Sequence, residues 1–239
     1  MFVYVVRHAQ SRAQAKVNGD NSKEPLLFPE FEKYDVYDPA LSAHGRKQAE
    51  LVARRLSQIQ FDAIFSGPLY RQIETANAIA RYQNNKKIQV LTELVELSDE
   101  RDPRLPEEFY SKAFPDSEVI PCPDPTPAGG SYTIPDDEIG PDNEMKRAIR
   151  VERFLTNNFK NDAKILLVSS AMFTGHCLIT ALLRAPEERA AYEVENTSVS
   201  MIHLKDDGIH STCGFQNDWA HLAYPDEDFL PNLKFGYEI

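Results

Sequence analysis

The chain opens on the apolar, β-branched run Phe2-Val3-Tyr4-Val5-Val6, a pattern that predicts a buried strand over 2–6. Comparable short runs predict strands over 62–66, 88–92, 164–169, 198–204 and 210–216. Between them, apolar positions at helical spacing predict helices over 42–59, 68–82, 142–159 and 171–184. Ser42 is the expected N-cap of the first of these, and Asp142 or Asn143 that of the third. Strands alternating with helices imply an α/β fold: a three-layer sandwich whose mostly parallel sheet of about six strands carries helices on both faces. The segment 14–37 is polar and long, and it separates the first strand from the first helix.

The first strand delivers Arg7-His8-Ala9-Gln10-Ser11 to its C-terminal end, where open α/β sheets place their ligand crevices. An imidazole beside a guanidinium suits phosphoryl chemistry. The ring can attack phosphorus, while the guanidinium holds phosphate oxygens in a bidentate fork. The same dipeptide also reads as an ordinary surface pair at a strand end. Gln10, His44 and Ser66 read as turn or strand-end residues.

The net charge of −11 changes the picture, because it is not evenly spread. From Glu96 to Asp142 thirteen Asp or Glu face only Arg101, Arg104 and Lys112, a local balance of −10 that leaves the remainder near −1. Nine of the sixteen prolines lie there too, so an irregular excursion is expected, neither a strand nor a long helix. One domain over 1–239 is expected, with an insertion at about 97–142 within it. Such a segment is either a lid or a solvated loop. The acidic balance and the lack of a basic stripe exclude a nucleic-acid partner. No run reaches membrane-spanning length, and Met1-Phe2-Val3 has neither a basic leader nor a small-residue cleavage site. Three cysteines without metal spacing favour reduced thiols and a cytoplasmic setting, with Cys177 a core residue.

Several motifs then recur in order. Arg7-His8-Ala9 resembles the Arg-His-Gly signature of the histidine phosphatase superfamily, the phosphoglycerate mutase-like enzymes, with Ser11 where that family has Ser or Thr. The stretch from Asp38 through Leu41-Ser42 and Gly45 to Gln48-Ala49 is similar to its "D-x-x-L-[ST]-x-x-G-x-x-Q-A" helix start. Phe61 to Ala76 resembles its second strand and "S-x-x-x-R-x-x-x-T-A" element, which carries the second phosphate arginine, here Arg71. Ile165-Leu166-Leu167-Val168-Ser169 looks like the strand before its second catalytic histidine. Glu195-Asn196-Thr197-Ser198-Val199 and Asn217-Asp218-Trp219-Ala220-His221-Leu222 resemble its late strand and C-terminal signature. The resemblance covers most of the chain outside 97–142, and it reads that insertion as a lid.

The resemblance implies roles. His8 is the expected nucleophile, forming a phosphohistidine that water hydrolyses, with Arg7 and Arg71 neutralising the equatorial oxygens. Glu96, in Leu94-Val95-Glu96, or Glu93 one register earlier, is the expected general acid. Gln14 stands where the family often has a phosphate-contacting asparagine. Arg101 and Arg104 either meet a distal anion of the substrate or balance nearby carboxylates. No cofactor or metal is expected, since fixed guanidinium groups do that work and no carboxylate–histidine cluster has ligand spacing. The expected partners are a small phosphorylated substrate or inorganic phosphate, and a second copy of the chain as a homodimer.

One departure outweighs the matches: Ser170-Ala171 stands where the family places its second histidine and usually a glycine. His176 lies about one and two-thirds helical turns further on. It reads either as a satisfied imidazole in the apolar stripe of Met172, Ile179 and Leu183, or as a group reaching the phosphate. Losing one charge-assisted donor removes about 1.5–3 kcal/mol, roughly 10- to 150-fold in rate, which is not abolition. A phosphomonoesterase of reduced activity is therefore the expected function, with Ser170 and Ala171 beside the phosphate. The alternative is a degenerate member that binds a phosphorylated ligand or phosphoprotein without turnover. The Trp-Asn and Gly-Trp patterns of the mutases proper are missing, which points away from a phosphoglycerate mutase.

Overall fold

The computed structural model describes residues 1–19, 32, 35, 38–96, 111–120, 141–185 and 191–223. Seven strands form one sheet: β1 (Phe2–Arg7), β2 (Ala63–Ser66), β3 (Ile88–Leu91), β4 (Ser117–Ile120), β5 (Lys164–Ser169), β6 (Val199–Leu204) and β7 (Ser211–Asp218), in the order β4-β3-β2-β5-β1-β6-β7. β1 to β5 run parallel, and β6 pairs antiparallel with both β1 and β7. The helices are α1 (Arg12–Val17), α2 (Ala43–Leu56), α3 (Tyr70–Arg81), α4 (Pro141–Asn158), α5 (Ala171–Phe173), α6 (Ile179–Leu182) and α7 (Ala220–Ala223).

The central strands read as unbroken apolar runs because both faces are covered. Along β1, Val3 and Val5 join one core with Ile165 and Leu167 of β5, Phe65 of β2 and Ala148, Val151 and Leu155 of α4. Val6 turns to the other face and meets Leu166, Val168 and Ile64 above Val52, Leu56, Ala76 and Ile79 of α2 and α3. At full burial each such side chain contributes about 1.5–3 kcal/mol. The three-layer α/β architecture is as expected, with one strand more. The extra strand corrects the reading of the acidic insertion, since β4 pairs with β3 from Ile88↔Ser117 to Leu91↔Ile120. A four-residue edge strand flanked by prolines gives too short an alternation to be seen in sequence. Residues 97–110 and 121–140 of the insertion expected as a lid, with Arg101, Arg104 and Cys122, lie outside the described residues.

Three further corrections concern helices. α1 runs into the stretch read as polar connection, covering its first four residues; Ser11 caps it while the Gln14 side chain reaches back to the Ser11 N–H. α4 begins at Pro141, ahead of the caps expected at Asp142 or Asn143, and proline suits a first helical turn. The helix expected over 171–184 is broken by a π turn at Thr174–Leu178, closed by the Ile179 N–H on the Thr174 carbonyl. A π turn holds one residue more than an α turn. Positions 172 and 176 are thereby turned away from 179 and 183: Met172 and His176 are exposed while Ile179 is buried. His176 is thus not the core-satisfied imidazole of an apolar stripe. Among the described residues no helix is long and apolar enough to cross a membrane.

The loop after β1 is docked onto α2. Ser42 caps α2 by accepting from the Gly45 N–H at 2.9 Å and donates its own hydroxyl to Gln10 Oε1 at 2.7 Å. Gln10 donates its N–H to Gln48 Oε1, and its carbonyl accepts from the Ser42 N–H. A Cβ at Gly45 would overlap the Gln10 carbonyl oxygen, a backbone atom that cannot step aside. Gly45→Ala should therefore lower stability by about 1–3 kcal/mol despite the better helix propensity of alanine. A urea midpoint equal to or above that of the parent would contradict this docking.

Candidate active site

The parallel strands bring their C-terminal ends to one edge, where β1 ends in Arg7-His8 beside Ser169-Ser170 of β5. His8 donates its N–H to the Ser169 carbonyl at 2.9 Å. Its ring is buried, with 3% exposure, so both ring nitrogens need partners. Nδ1 lies 2.8 Å from the Ala9 carbonyl and Nε2 lies 3.2 Å from Arg71 Nε. A carbonyl can only accept and a guanidinium can only donate, so the proton sits on Nδ1 and the lone pair on Nε2. Burial, then the Arg71 guanidinium, push His8 well below the ordinary histidine range; the bond to Ala9 works against that shift and Arg7 with it. The ring is neutral at physiological pH, with its free electron pair under a guanidinium. Ala9, standing for the glycine of the resembled signature, has no left-handed φ and is fully buried, so its methyl is accommodated.

Each arginine is held from behind. Arg71, in the first turn of α3, pairs through Nη1 with Asp38 Oδ1 at 3.3 Å, and Asp38 Oδ2 accepts the Tyr70 N–H at 2.8 Å. Asp38 is 4% exposed, so the pair is a fixed pivot more than a surface bridge. Arg7 donates Nη1 to the Val194 carbonyl at 2.7 Å. Its Nε is buried without a hydrogen-bond partner among the described residues. Burial is the largest influence lowering the Arg7 pKa; the carboxylates of Glu195 and Glu96 oppose it and Arg71 reinforces it. Two guanidinium groups within each other's field, one with an unanswered donor, form an anion-attracting place beside Nε2.

Glu96 is half-buried and caps the helix that follows Ser170: Oε1 accepts the Phe173 N–H at 2.9 Å and Oε2 the Met172 N–H at 3.4 Å. Glu93 is buried, and its charge bears on Arg147. Arg147 lies 4.2 Å from the Phe173 ring centroid, donates to the Val95 carbonyl at 3.2 Å and is pushed down to about 10, chiefly by burial. Of the two acids, Glu96 is the one whose charge bears on Arg7.

Ser11 is buried as the α1 cap, and Gln14 is half-buried with Oε1 accepting from the Ser11 N–H and, at 3.4 Å, from Asn196 Nδ2. Those contacts turn the Gln14 amide nitrogen away from both partners. Ser170 is fully buried, and its Oγ lies 2.6 Å from Gln72 Nε2, which also donates to the Leu94 carbonyl at 3.0 Å. Gln72 thus lies against the position of the missing histidine, and it fits because Gly67 has no side chain: a Cβ there would overlap Gln72 Oε1 and the Leu94 carbonyl oxygen. Ala171 opens α5 with only its main chain to offer. His176 is exposed on the π turn.

Four supporting residues lacked an assigned role in the sequence. Asp38 holds Arg71, and Gln72 holds Ser170. Thr75 Oγ1 accepts the Ala9 N–H at 3.0 Å and donates to the Arg71 carbonyl at 2.7 Å. Asn196 donates Nδ2 to the His8 carbonyl at 2.8 Å. Asp38 and Thr75 are fixed positions of the resembled motifs, which is the signal that could have found them. Gln72 and Asn196 carry no such mark of their partners.

The profile of the histidine phosphatase superfamily (branch 1) matches residues 3–214. The chain is 35% identical over 136 residues to fructose-2,6-bisphosphatase TIGAR of Xenopus laevis, 53% of this chain and 42% of that one. It is 47% identical over 49 residues to phosphoserine phosphatase 1 of Hydrogenobacter thermophilus, 20% of this chain and 23% of that one. The chain therefore matches less than half the length of either relative. Among solved structures, the ecdysone phosphate phosphatase of Bombix mori in complex with tungstate aligns with a TM-score of 0.62 at 18% identity, covering 92% of this chain and 99% of that one. The phosphoserine phosphatase of Entamoeba histolytica in complex with 3-phosphoglyceric acid aligns with a TM-score of 0.58 at 19% identity, covering 92% and 98%. At such identities these structures share the fold. With the family profile matched from the first strand to the last, the chain belongs to the histidine phosphatase superfamily, branch 1.

Proposed function

We propose that the protein is a phosphomonoesterase of small phosphorylated substrates that works through a phosphohistidine on His8. The observation that carries this reading is the His8 tautomer: Nδ1 is committed to the Ala9 carbonyl, and the lone pair on Nε2 points at a guanidinium. An arriving phosphate draws Arg71 from Nε2 onto its own oxygens, and Arg7 Nε supplies a second donor. Nε2 then forms a bond to phosphorus as the ester P–O bond breaks, and the leaving oxygen takes a proton from Glu96. Of the two oxygens, Oε1 accepts the shorter hydrogen bond, from Phe173, and Oε2 the longer one, from Met172, so Oε2 is the one assigned to carry that proton. Water next attacks phosphorus, returns its proton to Glu96 and releases inorganic phosphate as the N–P bond breaks. The relatives that act on phosphoserine and on fructose 2,6-bisphosphate support the substrate class. A protein that binds such ligands without turnover is the second reading, favoured by Ser170.

Brief incubation with labelled p-nitrophenyl phosphate should leave acid-labile label on His8, and His8→Ala should take none. Label on a serine, or full turnover by the alanine variant, overturns the assignment. Phosphate binding without any label or turnover selects the second reading.

The Gln72–Ser170 contact sets a condition on restoring the histidine. Ser170 is fully buried with Gln72 Nε2 2.6 Å from its hydroxyl, so Ser170→His alone should overpack the site, at about 1–3 kcal/mol. Paired with Gln72→Ala, the imidazole has room and supplies a charge-assisted donor, which should raise kcat roughly 10- to 150-fold over Gln72→Ala alone. A gain in the single variant equal to that in the double would show that Gln72 does not fill the space.

The buried His8 also has a signature in stability. Its folded pKa lies below the ordinary 6.5, so on acidification the unfolded chain takes up a proton that the folded chain refuses. Stability from this source is complete above pH 6.5 and is lost as the pH falls below it. His8→Asn, which cannot titrate, should show an acid slope between pH 6.5 and 5 that is shallower by one proton in urea titrations. Equal slopes would mean that folded His8 protonates freely.

A further inference from the structure

The C-terminal signature Asn217-Asp218-Trp219-Ala220-His221-Leu222 supplies no group to the phosphate site described above, yet it contains the most completely buried histidine among the described residues. His221 has no exposed surface and has partners on both ring nitrogens. Nδ1 lies 3.0 Å from Arg55 Nη1, and Nε2 lies 3.1 Å from Thr197 Oγ1. Arg55, itself buried, is anchored by the Asp218 carboxylate and donates to the Asp218 carbonyl at 2.9 Å. Because a guanidinium only donates, His221 Nδ1 must accept, and the ring's one proton sits on Nε2. That proton goes to Thr197 Oγ1, whose own hydroxyl hydrogen goes to the Asn196 carbonyl at 2.7 Å. Burial, then Arg55, push His221 down to about 3, so the ring stays in this one neutral tautomer across the working pH range.

The chain of donors ends on the nucleophile. Asn196 Nδ2 grips the His8 carbonyl and reaches Gln14 Oε1, and the Thr197 N–H bonds the Arg7 carbonyl at 3.0 Å. Thr197 makes these contacts from a left-handed backbone, φ 58°, a conformation that is costly for a β-branched residue and persists only where its surroundings impose it. The Asn196–Thr197 turn is thus clamped from behind by His221 and clamps the Arg7-His8 peptide in front. We infer that His221 is a positioning residue: through Thr197 and Asn196 it fixes the main chain that aims His8 Nε2 and the amide of Gln14. This rests on the reading of His8 as the phosphoryl acceptor. Nothing in the network touches substrate, and no proton needs to move along it.

The test uses the full chain with p-nitrophenyl phosphate, kcat being normalised to active sites by the phosphohistidine burst, together with 15N shifts of the His8 ring. Thr197→Val removes the hydroxyl at constant shape, and Thr197→Ser keeps it. Thr197→Val and His221→Ala should each lower kcat per site about ten-fold, the scale of one lost buried hydrogen bond. Both should move the His8 Nε2 and Nδ1 shifts, while Thr197→Ser stays within about two-fold of the parent. His221→Gln, with one acceptor and one donor, should fall between, and it reads the same link if His221→Ala does not fold. Thermal midpoints that drop while kcat per site and the His8 shifts stay at parental values would make the network merely structural and overturn the inference. A parent chain that takes no phosphoryl group would defeat the reading of His8 instead. The shifts would still report whether His221 controls the ring.

Discussion

A neutral imidazole closed off from water needs a donor on one side and an acceptor on the other, and the site is organised around that demand at His8. Its acceptor is the carbonyl of the next residue, which fixes the path of the chain at Ala9. Its donor is Arg71, which comes from a different layer of the fold and must itself be balanced by Asp38. The Ala9 peptide is in turn held by Thr75, one helical turn beyond Arg71 on α3. The packing of α2 and α3 on one face of β1 thus decides the protonation pattern of the ring. Electrostatics follows from packing here, since burial contributes more to the depressed basicity of His8 than either arginine does.

The same logic explains the surroundings of Ser170, the position where the resembled motif would have a histidine. An empty space of imidazole size beside buried polar groups would cost both packing and hydrogen bonds. Gln72 answers both demands: its amide fills volume, bonds Ser170 and the Leu94 carbonyl, and takes the Leu69 N–H on its oxygen. The exchange makes the site less cationic. Among the described residues, Arg71 and Arg7 are the cations whose charge bears on His8, and the carboxylates of Glu195 and Glu96 partly offset that of Arg7. A site with less positive charge attracts a doubly charged phosphate less strongly.

What was legible in the sequence follows from how local each cause is. β1 and β5 could be read because burial on both faces leaves unbroken apolar runs, and α2 because Ser42 announces its start. Arg7 and His8 could be placed because strand ends map onto one edge of a parallel sheet, and Arg71 because its motif resembles one that carries a phosphate arginine. β4 could not be read, because four residues between prolines carry too little pattern. The exposure of His176 was hidden by a π turn, which periodicity cannot register. The partnership of Gln72 with Ser170 spans 98 positions and depends on a missing side chain at Gly67. Such a contact has no trace in either neighbourhood. The α1 capping pair, Ser11 with Gln14, was visible in principle, but its serine was assigned to the phosphate first.

The place of β1 in the sheet has a consequence for how the molecule comes to exist. The strand that leads into His8 precedes the other six, yet it lies between β5 and β6, with Val3 opposite Ile165 and Val6 opposite Val199. Both neighbours are separated from it by more than 150 residues, so their pairing must close very long loops before any contact rewards it. During synthesis an apolar strand with two open edges therefore waits unpaired while β2, β3 and their helices are made. The Arg7-His8 edge is then among the last features to be assembled, and until β5 and β6 arrive the open edges of β1 are available to other chains.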